Sequence, residues 1–262
     1  MSDAPHETKI PLAAGDLLVV ALLLGLALGF WEGWVRLREI PVYILPPPSL
    51  VLLTLTRHLD LYIKAALVTL VEALGGLLLG LTIGILTAIL ITFWRRLERG
   101  VLTLAILIKA TPMVAIAPLL IIWFGFGPLP KIIITALLTF FPVLINVHSG
   151  LHAVDDALLA LFHSLDASRW ECFRYARWPS AWPYLFVALK VVAPLSLVGA
   201  VVAEWAGASA GLGRTMWLAY ANLNMPHLFA AVFCLALMGV ALYALVLGIE
   251  KRVLFWRVTQ DM

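Results

Sequence analysis

The sequence predicts an all-α protein that crosses a membrane about six times. Three observations predict it. Of its 262 residues, 63% are hydrophobic and only 13% charged, and the mean hydropathy is +1.02. Soluble domains are about half apolar and about a quarter charged, and one of this length cannot hide so much apolar surface. The apolar residues gather into six runs, each near the roughly 20 residues that a helix needs to cross the hydrocarbon core. Between the runs lie prolines, glycines and short basic stretches. Helix is the required form, because backbone groups in lipid must be paired within the chain.

The runs cover residues 17–35, 61–94, 101–124, 132–147, 184–202 and 228–249. Residues 1–16 are polar with one lysine, Lys9. The run that follows is too long for a signal-peptide core and lacks a clear small-residue cleavage site, so it reads as the first span. This divides the chain into an N-terminal tail (1–16), a first span with an outer segment (17–60), a core (61–250) and a C-terminal tail (251–262).

Basic residues orient the core. With both termini in the cytoplasm, Lys9, Arg95, Arg96, Arg99, Arg169, Arg174, Arg177, Lys251, Arg252 and Arg257 lie inside, and Arg36, Arg38, Arg57, Lys64, Lys131 and Arg214 outside. That is a positive-inside bias, carried best by the short turn Trp94-Arg95-Arg96-Leu97-Glu98-Arg99.

Small residues recur every fourth position, as Gly76, Gly80 and Gly84 and again as Gly25, Gly29 and Gly33. Such faces let helices approach closely, chiefly inside one subunit and otherwise between subunits. Pro46, Pro47 and Pro48 precede Ser49, which is expected to cap a short outer helix. Pro112 and Pro118 interrupt the third run, and Pro128 and Pro130 are expected to turn the chain in the loop after it. A span broken by proline frees backbone carbonyls; it lines a path or it is a buried kink.

The longest polar interval, residues 151–182, reads as helix, turn, helix. Asp155 and Asp156 open the first helix, and Ser164 or Asp166 is expected to cap the second. Arg169, Arg174 and Arg177 form a basic side, and Trp170, Phe173 and Trp178 an apolar one. An amphipathic element of this kind lies on the membrane surface or docks another protein.

Here the residues resemble a family. Leu165-Asp166-Ala167-Ser168-Arg169-Trp170, then Phe173, Arg174, Pro179 and Pro183-Tyr184, resemble the EAA loop of ABC importer permeases. Ala160-Leu161-Phe162 stands at the family's Glu-Ala-Ala, and Asp166 at its glycine. Resemblance extends from about Ile44 to Trp256. The segment Ile44-Leu45-Pro46-Pro47-Pro48-Ser49, the run at 118–127, Phe140-Phe141-Pro142-Val143, Ala203-Glu204-Trp205 and Gly211-Leu212-Gly213 look like the nitrate/sulfonate/taurine/bicarbonate branch. Within it, Lys109-Ala110-Thr111-Pro112 and Ala188-Leu189-Lys190-Val191 look nearest to permeases for thiamine-precursor pyrimidines.

The resemblance implies a type I ABC importer permease fold with a cytoplasmic coupling helix between spans four and five. It implies that Ala160, Leu165, Asp166, Ala167, Ser168, Arg169, Trp170 and Phe173 contact an ATPase subunit. It further implies a bacterial inner-membrane location, a second permease copy and a periplasmic solute-binding protein that delivers a small solute, either a pyrimidine or a nitrate-, sulfonate- or taurine-type anion. An ion-gradient-driven secondary transporter is the alternative. Such proteins often show internal repeats, and none is convincing here.

No Walker A pattern occurs. Gly211-Leu212-Gly213-Arg214-Thr215 lacks the lysine and the preceding strand, so ATP is expected to be handled by a separate polypeptide, with no catalytic residue, cofactor or metal site in this chain. A net charge of +3 without a Lys/Arg-rich run leaves nucleic acid out as a partner. Ionisable residues inside spans are costly and are functional candidates. Lys109, Thr111 and Pro112 on the broken span, with Glu204, are the candidate pathway residues. Lys190 is expected to snorkel toward an interface, Glu72 to pair with a basic residue or mark a subunit contact, and Glu204 to sit solvated at the outer end of its span. Trp205 and Trp217 are minor candidates for stacking on a planar substrate.

Overall fold

The computed structural model describes residues 14–255, and every regular element among them is helical. In chain order these are α1 (Ala14–Leu37), α2 (Pro48–Arg57), α3 (Leu59–Phe93), α4 (Arg95–Ala110), α5 (Met113–Phe124), α6 (Pro128–His152), α7 (Asp156–Ser164), α8 (Arg169–Cys172), a π-helical segment (Phe173–Arg177), α9 (Trp178–Gly207), α10 (Leu212–Ala221) and α11 (Met225–Val253). Five stretches are long and apolar enough to cross a membrane: 18–37 in α1, α3, α6, 169–207 and α11. The tails, with Lys9, Trp256 and Arg257, fall partly outside the described residues.

The third run, expected to be interrupted by both Pro112 and Pro118, is broken at Pro112 alone. It is two helices, α4 and α5, bent by 92° at a break of two residues. Pro112 has no N–H to give, and its ring holds Thr111 in an extended conformation (φ −75°, ψ 129°). With 16 and 12 residues, α4 and α5 are about 24 and 18 Å long, each short of the roughly 30 Å hydrocarbon core. Pro118 is accommodated inside α5 without breaking it.

The core is the seam where α3, α6 and α9 pack. Gly76, Gly80 and Gly84 lay the α3 backbone directly on α6: a Cβ on Gly76 would lie 2.8 Å from the Ile132 carbonyl oxygen, one on Gly80 2.6 Å from that of Ala136, and one on Gly84 2.8 Å from Val143 Cγ1. Gly150 serves the α6–α9 side, where a Cβ would meet Ala181 Cα at 2.8 Å. This stripe packs within the subunit. The second stripe does not: Gly25, Gly29 and Gly33 have nothing within 4 Å.

α1 stands apart from the core and is tied to it at one end. The Glu32 carboxylate accepts from the Ser49 N–H (3.0 Å) and hydroxyl (2.8 Å) and from Arg36 Nε (2.5 Å). Ser49 is therefore not the expected cap. Pro47 occupies the N-cap, Pro48 is the first helical residue, and Glu32 supplies the acceptor that α2's N-terminus lacks.

Further differences follow from helix ends. Pro128 and Pro130 stand in the first turn of α6, where a missing N–H costs nothing, instead of turning a loop. Lys131, near the start of α6, is 3% exposed. The helix of the fifth run starts well before residue 184, because α8, the π-helical segment and α9 run on without a break. α10 had no apolar run to announce it.

Lys190 does not snorkel freely. Its Nζ lies 3.2 Å from Glu250 Oε1, with side-chain exposures of 16% and 6%. Removing one member of a buried pair leaves an uncompensated charge, at about 3–5 kcal/mol. Lys190→Leu or Glu250→Leu alone should sharply lower the yield of folded protein, and the double variant should recover most of it. A detergent thermal-unfolding series checks this double-mutant cycle.

Candidate functional site: an exposed helical loop and a buried polar lock

The loop joining α6 to α9 is built from two consecutive caps. Asp155 opens α7 by accepting from the Ala157 N–H at 2.9 Å. α7 ends in a Schellman motif, in which Asp166 N–H donates to His163 O (3.1 Å) and Ala167 N–H to Phe162 O (3.0 Å). That closure needs a left-handed residue, and Asp166 takes it at φ 54°. The position where the resembling family has glycine therefore keeps glycine's conformation, at the roughly 1–2 kcal/mol that a non-glycine residue costs there. The next helix is capped by Ser168, not by Ser164 or Asp166. Ser168 accepts from the Glu171 N–H (3.2 Å), and Glu171 accepts from the Ser168 N–H (2.7 Å), a reciprocal capping box.

Two tight closures thus define a loop with almost nothing beneath it. α7 buries no residue, while Leu161, Leu165 and Trp170 are exposed. Phe173 turns inward: it is buried and stacks between Trp170 (5.4 Å) and Phe93 (5.1 Å). Ala160, Ser168 and Arg169 are exposed, and Ala167 is half-buried. The helix beyond is braced where Arg177 Nη1 donates to the Leu151 carbonyl (3.3 Å). A latch joins the same end of the bundle to the start of α4, with Glu98 Oε1 3.2 Å from His148 Nε2.

The candidate pathway residues do not form one group. Lys109 is exposed, with its ammonium 4.7 Å from the centre of the Phe141 ring, where the ring's π face attracts it. Thr111 and Pro112 are exposed at the bend. Glu204 lies elsewhere and is not solvated: it is 1% exposed. Its Oε1 accepts from Thr69 Oγ1 (2.6 Å) and its Oε2 from the Gly213 N–H (2.5 Å) at the start of α10. Thr69 Oγ1 also accepts from the Leu212 N–H (2.8 Å).

A carboxylate at a helix N-terminus satisfies orphan N–H groups and meets the positive end of the helix dipole. The glycines at 211 and 213 explain themselves here. Gly211 has φ 109°, and a Cβ on it would strike the Glu204 carboxylate; one on Gly213 would lie 2.7 Å from the Val201 carbonyl oxygen. Beside this lock, Glu72 Oε1 sits 3.7 Å from Lys131 Nζ, which also donates to the Phe126 and Gly127 carbonyls at 2.8 Å. Glu72 therefore pairs with a basic residue, as one of its expectations had it. The lock was legible only in part: Glu204 and the two glycines stand out, but Thr69 and Lys131 carry no sequence signal of their partners. Trp205 and Trp217 meet edge to face at 5.9 Å.

Residues 80–255 match the family model described as the binding-protein-dependent transport system inner membrane component. The chain is 33% identical over 231 residues to the formylaminopyrimidine transport permease protein ThiX of Halalkalibacterium halodurans, covering 88% of this chain and 92% of that one. It is 34% identical over 241 residues to the riboflavin transport system permease protein RibX of Chloroflexus aurantiacus, covering 91% and 90%. A solved structure of an amino acid ABC transporter superposes with a TM-score of 0.63 at 18% identity, over 76% of this chain and 97% of that chain, which shows the shared fold. A polytopic helical chain with an exposed, doubly capped loop before its longest helix, matched over most of its length, belongs to the binding-protein-dependent transport system inner membrane component family and is an ABC importer permease subunit.

Proposed function

We propose that two copies of this chain form the translocation pathway of an ATP-driven importer in a bacterial inner membrane, with both termini cytoplasmic. An ATPase subunit docks on the loop at residues 160–173, and a periplasmic solute-binding protein delivers the solute at the opposite end. The observation that carries this reading is the α7–α8 loop itself. It exposes Leu161 on α7, which buries no residue, Leu165 just after it and Trp170 in α8, yet a Schellman motif and a capping box fix the chain between the two helices. An exposed apolar surface held in one conformation suits a protein partner. ATP binding would draw two such loops together and open the outer side.

The substrate read here is a pyrimidine-type heterocycle. Formylaminopyrimidine and riboflavin, named for two relatives, both contain a pyrimidine ring. The bend at Thr111-Pro112, with Lys109 beside it, is the proposed pathway element, and Glu204, away from that bend, holds α10 in place.

Copurification of a tagged chain with its ATPase, followed by uptake in vesicles loaded with ATP, tests this. Asp166→Val puts a β-branched residue at positive φ and should uncouple ATPase activity from transport, while the protein still inserts in the membrane. Asp166→Gly should behave as the native chain. Undiminished uptake by Asp166→Val, or uptake that needs an ion gradient and no ATP, overturns the docking role. Competition by pyrimidines, sulfonates and nitrate against the binding protein's thermal shift decides the substrate class.

A further inference from the structure

At the inner end of α3 a groove of about 390 Å³ is lined by Leu86, Ile89, Leu90, Phe93, Trp94 and Arg169. Four of its six residues are aliphatic or phenyl side chains along two turns of a membrane-spanning helix. From Leu86 to Trp94 the helix rises about 12 Å. Its outer wall is open, and Leu86 is 61% exposed.

The groove's far end has the opposite character. Trp94 is exposed, like the interfacial tryptophans that sit at headgroup level. Arg169 stands in the first turn of the helix that runs from 169 to 207. Arg95 and Arg96 follow Trp94 directly, and both are exposed. None of these three guanidinium groups has a hydrogen bond or ion pair among the described residues. The nearby carboxylates are otherwise engaged, Glu171 in the Ser168 capping box and Glu98 with His148. The groove thus joins an apolar slot within the membrane to unpartnered positive charge at its edge.

We propose that this groove binds one anionic phospholipid of the inner leaflet, an acyl chain lying along α3 from Leu86 to Phe93 and the phosphate on Arg169. Charge complementarity selects the headgroup, and the apolar slot selects a lipid over a free anion. The site shares Arg169 with the proposed coupling loop, so a lipid there would brace that residue where the loop enters the long helix, and the measurement without the ATPase separates the two roles. The inner-leaflet assignment rests on the orientation proposed above.

The test uses the full chain purified from the membrane, alone and with its ATPase, and counts bound lipid by native mass spectrometry in mixed phosphatidylglycerol–phosphatidylcholine micelles. The native chain should prefer phosphatidylglycerol by about fivefold, the equivalent of about 1 kcal/mol for one juxtamembrane cation. Arg169→Gln should bring that preference to parity while phosphatidylcholine still binds. Leu90→Trp, which fills the slot, should remove one bound lipid of either kind. An unchanged preference in Arg169→Gln overturns the proposal. So does thermal stabilisation by inorganic phosphate equal to that by the lipid, or a variant that loses only the ATPase. Labelling of Gly100→Cys in intact cells and in inverted vesicles reports orientation separately, so a wrong sidedness is told apart from an absent lipid site.

Discussion

Gly80→Val is expected to leave almost no folded subunit. Its Cβ would collide with Thr139 Oγ1 and lie 2.6 Å from the Ala136 carbonyl oxygen and 3.2 Å from Ala136 Cα. Two of those three atoms are backbone, so no rotamer change relieves the clash. The α3 and α6 axes must separate, and the contacts of the buried seam would loosen with them. Overpacking in a dense core costs about 1–3 kcal/mol when side chains can adjust, and more when backbones must part. Gly29→Val, the same change at the same spacing on α1, meets nothing within 4 Å and should be tolerated. Unfolding in graded SDS, with the monodisperse yield, compares the two. Equal behaviour would mean that α3 and α6 do not pack as described.

Glu204→Leu is expected to release α10 and end transport, while the protein remains in the membrane. The change orphans the Gly213 N–H and leaves the Thr69 hydroxyl only its longer bond to the Ala65 carbonyl (3.2 Å). Each buried group left unpaired costs about 1–3 kcal/mol. Glu204→Gln separates charge from shape. Its Oε1 can still accept from Thr69, but its NH2 then faces the Gly213 N–H, donor against donor, so it should also be impaired, though less. Gly211→Ala should resemble Glu204→Leu, because its φ of 109° disfavours a side chain and the added Cβ strikes the carboxylate. Protease cleavage at residues 207–211, with uptake measured in parallel, reads the release. Full transport by Glu204→Leu would show that α10 is held by other means.

Much of the loop at 151–182 was legible in the sequence, and the particular residues show why. Asp155 and the left-handed option of Asp166 are local features, set by a side chain acting within a few residues of itself. The cap at Ser168 is equally local, but Ser164, Asp166 and Ser168 are all capable, and which one served depended on where α7 closed. The pathway group illustrates the opposite case. Lys109 and Glu204 are both ionisable residues in apolar runs, and nothing along the chain tells a lysine lying over Phe141 from a carboxylate sealed under α10.

The sequence by itself determined that this chain is helical, lies in a membrane, and carries the loop residues of an importer permease. The first two follow from composition and run length, which act locally and against a uniform solvent; the third came from the resemblance of residues 160–184 to a known family. Only the tertiary structure decided the rest. It decided which glycine stripe is filled and which is open, that Pro112 bends its span by 92°, that Lys190 and Lys131 have carboxylate partners, and that Gly211-Leu212-Gly213 seats a helix on Glu204. Most of these depend on which helices meet, and pairing between residues as far apart as Lys190 and Glu250 (60 positions) or Thr69 and Leu212 (143 positions) leaves no mark on either neighbourhood.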